Sequence, residues 1–348
     1  MTTILSTIKK GAARLAPGFA GLVLAAAPAA AQTYTVTDLG TLGRNSLGNY
    51  SSAYCINASG QVGGQSSAVS RAQSDPAFLY TNGVLTSLGT LGGEYASARG
   101  INTSGQIAGY STLRDGTYRA FLYTDGQMIN IGTLGLDYSA AYALADSGQV
   151  VGVSESVPEQ EHAFLYQNGQ MTDLGTLGGD TSTASGINNR GVIVGYSYNA
   201  AGNFLGFVYR NGTMTALGTL GGTWSTATAI NDLNQITGQA YTRNNFGAHA
   251  YRFSRGRMTD LGTLGGFYSS GLAINNSGTV VGQSTIPDNS DRAFISINGA
   301  QMQDLNTMIP PGTGWVLGVA TAINDSGQIA GYGTVNGQSH GFLLTPAQ

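Results

Sequence analysis

Short apolar runs, each closed off by glycine, asparagine or aspartate, follow one another along the chain from residue 33 onward. Runs of that length bounded by turn formers are strand-sized punctuation and do not have helical periodicity. In the stretch 183–220 the runs 183–188, 192–197, 206–209 and 214–220 predict four strands, with Asn211-Gly212 between the last two. Asn-Gly between alternating runs signals a hairpin because both central turn positions need positive φ. The same device recurs at Asn82-Gly83, Asn168-Gly169 and Asn298-Gly299, with Asp125-Gly126 as a relative. The expectation is a series of four-stranded antiparallel meanders.

Three phrases repeat in fixed order. Leu-Gly-Thr-Leu-Gly starts at Leu39, Leu88, Leu174, Leu217 and Leu261, with a variant from Ile131 and a degenerate copy from Leu305. Ile-Asn-x-x-Gly, followed by a β-branched pair and glycine, starts at Ile56, Ile101, Ile187, Ile274 and Ile323, with variants from Ile230 and Leu144. Ala-Phe-Leu-Tyr starts at Ala77, Ala120 and Ala163, with variants from Gly206, Ala250, Ala293 and Gly341. Seven units of about 44 residues result. One four-stranded sheet cannot bury both its faces, whereas seven around an axis bury each face against the next, so the pattern predicts an all-β, seven-bladed β-propeller. Residues 33–42 supply a strand with no preceding partner, and the chain stops after 341–345 without the strand that should follow. The N-terminal strand is therefore expected to complete the last blade.

Composition narrows the chemistry. The 53 glycines disfavour helix, one cysteine excludes a disulfide framework, and three scattered histidines leave little for a metal cluster, so no cofactor and no metal site is expected. Residues 1–31 read as an export signal: Lys9, Lys10 and Arg14 precede an apolar stretch, and Ala29-Ala30-Ala31 satisfies the cleavage rule before Gln32. That leaves 32–348 as a single propeller domain in an extracellular or periplasmic setting. The apolar stretch, broken by Pro17, Gly18 and Pro28, is too short to remain as a spanning helix. The 12 basic residues after the leader are all arginine and face 18 acidic ones, so nucleic acid is not an expected partner.

The His-Ala-Phe core at 162–164, with relatives at 249–251 and 340–342, resembles the HAF-repeat family of extracellular bacterial repeat proteins, over the whole chain after the leader. The resemblance implies export and carries no common activity. In form the units are kelch-like, but the double glycine follows the fourth strand and the kelch tryptophan is absent.

Loop length points to one end of the propeller. The turns after Ile-Asn and at Asn-Gly are short and share an end, while the inter-blade link and the variable loop after the second strand, as at 154–161, 197–204 and 240–248, share the other. Function is expected at the loop-rich end. Seven residues before the Asn of each Ile-Asn phrase, or its Ala145 counterpart, stand Tyr50, Tyr95, Tyr138, Thr181, Trp224, Tyr268 and Leu317, an aromatic collar suited to sugar rings or packed as ordinary core. Just before Ala-Phe stand Pro76, Arg119, His162, Leu205, His249, Arg292 and His340, a ring that would attract a carboxylate or sulfate, or bind neighbouring carbonyls. Trp315, in the stiff loop 310–315, marks the blade that departs furthest from the pattern. Carboxylates near the collar (Glu94, Asp137, Asp180) or in variable loops (Glu155, Glu159, Glu161, Asp288, Asp291) could pair as acid and base, with solvated surface as the alternative. Cys55 fills a small-residue slot and is expected to be buried. These features favour a binding module that contacts a glycan or an extracellular protein. A polysaccharide lyase or hydrolase and a ligand-free envelope protein are the alternatives.

Overall fold

The structure, a computed structural model, describes residues 32–43, 48–69 and 74–347, so the stretch 1–31 read as an export signal lies outside the described residues. Among those residues the chain forms seven four-stranded antiparallel sheets and two single-turn 3-10 segments. Six sheets are meanders in chain order, covering 51–89, 96–130, 139–173, 178–216, 221–260 and 269–304; these are the first to sixth blades. The seventh consists of Trp315–Ile323, Ile329–Val335 and Gln338–Pro346, with the N-terminal strand Tyr34–Asp38 as its fourth member. That strand runs antiparallel to Gln338–Pro346, with Val36 opposite Leu344. The chain is thus a seven-bladed propeller whose N-terminal strand completes the last blade.

Two boundaries differ from the sequence reading. The fourth strand of the fourth blade ends at Ala216, and Leu217 begins a link rather than continuing the strand. The equivalent link of the third blade shows why: the Asp173 carboxylate accepts from the Gly175 N–H at 2.7 Å, and Gly175 takes a φ of +71°, which ends extended backbone. The variable segment 154–161 is not an open loop. Its strands run on to Val157 and Gln160, leaving Pro158-Glu159 as the tip.

The repeated phrases now have physical causes. In each blade the innermost strand bulges by one residue, and the glycine of the β-branched pair lies opposite the bulge. A Cβ on Gly64, Gly109, Gly152, Gly195, Gly238, Gly282 or Gly331 would stand 1.9 to 2.1 Å from a carbonyl oxygen of the innermost strand, so only glycine fits. The Asn of each Ile-Asn phrase ties the blades together. Its Nδ2 donates to the next blade's backbone carbonyl from Asn57 to Asn102, from Asn188 to Asn231, from Asn231 to Asn275, from Asn275 to Asn324, and across the closure from Asn324 to Asn57. Asn102 reaches Ala145, which has no amide to pass the link on. Buried serines stitch the other end: the Ser139 hydroxyl accepts from Ala120 N–H of the preceding blade and donates to the Gly132 carbonyl. Ser182, Ser225, Ser269 and Ser51 repeat the arrangement. The core lies in the seams between blades, where a buried phenylalanine or Tyr251 fills each sheet.

Candidate functional site

Because each innermost strand bulges, each pushes one side chain into the central channel. The seven are Tyr54, Arg99, Tyr142, Ser185, Thr228, Leu272 and Thr321, and all of them line a cavity of about 670 Å³ on the axis. The flanking positions repeat (Cys55, Gly100 and Ala143 are small, and Ile56, Ile101 and Leu144 are aliphatic), whereas the bulge position changes from blade to blade. Cys55 is buried as expected, and burial pushes its thiol up to about 12, which makes it a poor nucleophile.

Arg99 is the one charged side chain lining this cavity. Its guanidinium lies 4.0 Å above the Tyr54 ring and 5.3 Å from that of Tyr110, and its Nη2 donates to the Tyr110 hydroxyl at 2.7 Å. Its Nε is buried without a partner. Among the described residues, the ion pairs are Arg119–Asp137 and three His–Asp pairs, so no carboxylate neutralises Arg99.

Toward the loop-rich end the channel meets aromatic surface on two sides. On one side Tyr95, Tyr110, Tyr118, Tyr138 and Tyr142 enclose a pocket of about 210 Å³, and Tyr142 also lines the channel. Their rings meet stacked or edge-on, with Tyr95 and Tyr110 stacked at 5.9 Å and Tyr118 and Tyr138 edge-on at 6.4 Å. Burial raises the Tyr138 and Tyr142 hydroxyls, which stay protonated donors at neutral pH. On the other side Phe204 stacks on Trp224 at 5.8 Å with the planes 8° apart, flanked by Tyr196, Tyr198 and Tyr241. Tyr196 also lines the channel.

The residues singled out from sequence do not share one place. Tyr95 and Tyr138 join the tyrosine pocket, and Trp224 joins the second cluster. Tyr50 bonds Asp75, which together with burial holds its hydroxyl protonated, and Tyr268 makes no ring contact among the described residues. Trp315 packs edge-on against core Phe342 at 5.8 Å.

The cationic ring is engaged with its own scaffold. Nδ1 of His162, His249 and His340 lies 2.7, 2.9 and 3.0 Å from the carboxylates of Asp173, Asp260 and Asp38, each on the fourth strand of the same blade. Arg119 donates to the Asp137 carbonyl and pairs with its carboxylate, and Arg292 donates to Ser290 and the Asp291 carbonyl. Of the carboxylates considered for catalysis, Glu161 is raised by burial and by Glu155 opposite it.

Tyr54, Arg99, Tyr110, Tyr118, Tyr142 and Phe204 escaped the sequence reading. The channel ring nevertheless left a trace, since it is the one variable position between two invariant-type neighbours, two residues before each Ile-Asn phrase.

No protein-family model and no curated protein matches the chain in sequence. Solved structures are similar in fold at low identity. The β-propeller domain of the Trilobed protease from Pyrococcus furiosus, described as having an open velcro topology, is 8% identical over 86% of this chain and 97% of that one, with a TM-score of 0.56. A Mycobacterium tuberculosis puromycin-hydrolyzing peptidase is 13% identical over 82% of this chain, with a TM-score of 0.55. The acylaminoacyl peptidase of Pyrococcus horikoshii is 11% identical over 86% of this chain, with a TM-score of 0.53. The chain spans about half of those two peptidases, 49% and 52% of their length. At these identities the likeness extends to the propeller fold alone.

Proposed function

We propose that the chain is an exported binding module of HAF-repeat type that holds a glycan at the loop-rich end of its propeller. The observation that carries the reading is the continuity of aromatic surface across that end, from the pocket of five tyrosines through the channel mouth to the Trp224 stack. Aromatic faces pack against the apolar faces of sugar rings, while phenol hydroxyls supply polar contacts that fix orientation. Tyr118 and Tyr198 remain exposed there, at 38% and 41%, so the clusters present accessible rings as well as buried ones.

The test is a glycan array probed with the purified propeller, followed by titration of each hit against the Trp224→Ala and Tyr118→Ala variants. The expected result is saturable binding that falls at least tenfold in both. Binding unchanged in both would move the site elsewhere. A second reading, polysaccharide cleavage at the same end, draws on the raised Glu161 carboxyl facing Glu155. Product analysis after incubation separates it from binding alone.

A further inference from the structure

We propose that the central channel selects acidic saccharides, with Arg99 binding a sugar carboxylate; this rests on the glycan-binding reading. Six of the seven bulge side chains are uncharged, and no Asp, Glu, Lys or His lines the cavity, so a single positive charge faces its volume of about 670 Å³, while Asp146, Asp232 and Asp325 line the adjoining pocket of about 290 Å³ at the Ile-Asn end. A cation taken out of water without a counter-ion is costly, and a ligand carboxylate would offset that cost. The guanidinium is already positioned: Tyr54 supports its face and Tyr110 holds Nη2, so a ligand is met by the terminal nitrogens while Nε stays buried. Planar arginine matches a carboxylate through parallel N–H donors, so the site discriminates by charge and shape together. Tyr110 also lines the tyrosine pocket, so one sugar residue's carboxylate can occupy the channel while the next residues lie on the aromatic surface. The cavity volume falls within the range of small-ligand sites.

The test compares a galacturonic acid trimer with a neutral galactose trimer by calorimetry on the purified propeller. The expected result is at least tenfold tighter binding of the acidic trimer. Arg99→Gln should erase that preference in a protein that still melts cooperatively, its lost contacts to Tyr54 and Tyr110 lowering the melting temperature at most modestly, and Arg99→Lys should retain part of it. Leu272→Glu, which leaves Arg99 in place, should also erase the preference by setting a carboxylate on the same ring. Equal binding of the two trimers by the wild type, or a preference that survives Arg99→Gln and Leu272→Glu, would overturn the charge selection while leaving the glycan-binding reading intact. Binding of neither trimer, nor of any other sugar on the array, would overturn both. Arg99-dependent binding of a glutamate hexapeptide in preference to the acidic trimer would overturn the saccharide assignment.

Discussion

Ring closure rests on a strand that is last in space and first in sequence, and Leu39 is where its loss should be felt. Leu39 is 4% exposed and belongs to one core cluster with Ala53, Val62 and Phe78 of the first blade and Ala322, Ala330 and Leu343 of the seventh. Its N–H also donates to the Gly341 carbonyl at 3.0 Å. Truncation to alanine leaves a cavity at the junction that closes the ring, which for a buried leucine costs about 2–5 kcal/mol. For a large domain each kcal/mol lowers the melting temperature by roughly 2–4 °C, so a shift of about 4 °C or more is expected. Leu261→Ala is the control, since Leu261 is equally buried at 3% but belongs to a blade whose strands are contiguous in sequence. Both variants should lose stability. Only Leu39→Ala should also release the terminal strand locally, seen as faster amide hydrogen exchange across Gln338–Pro346 at temperatures well below melting. Unchanged exchange there, with a melting temperature within 1 °C of wild type on the scale of that conversion, would refute the claim that this strand holds the ring shut.

Three further outcomes follow from named contacts. Gly152→Ala would drive a Cβ to 2.0 Å from the Ala140 carbonyl, so it should abolish the bulge or destabilise the blade by about 1–3 kcal/mol or more, read by denaturant titration. Asn188→Ala removes the amide that donates to the Asn231 carbonyl and the oxygen that accepts from Arg190 and Val192, costing about 1–3 kcal/mol, while Ala145→Asn supplies the missing link and should raise the melting temperature. Asp260 is held below the usual carboxylate range: burial raises it, but the bond to His249 and the Gly262 N–H outweigh burial. Its folded value lies below the unfolded one, so its contribution is present above the unfolded value near pH 4 and fades as pH falls through the folded value. Asp260→Asn should therefore cost stability at pH 7, by less than about 1 kcal/mol because the pair is partly solvated, and lose that effect in acid, as checked by melting across pH 2–7.

The sequence by itself determined the number of blades, the strands per blade and the closure, because each depends on local chemistry repeated seven times. Asn-Gly marks a turn wherever it stands, a glycine opposite a bulge admits no Cβ, and a leading strand without a partner has one vacancy to fill. Tyr95, Tyr138 and Trp224 were legible as one collar, yet their division into two clusters was not, since Tyr110 and Tyr118 join from outer strands of the second blade and Phe204 from the blade before that of Trp224. The His and Arg ring was visible as a pattern, but its engagement with Asp173, Asp260 and Asp38 depends on cross-strand geometry, and for His340 on a partner 302 residues away. Only the tertiary structure turned Arg99 from one arginine among 13 into the lone charge lining the axial cavity. A bulge converts an alternating strand position into an axial one, and the burial that gives that position its electrostatic weight exists only once seven blades enclose it.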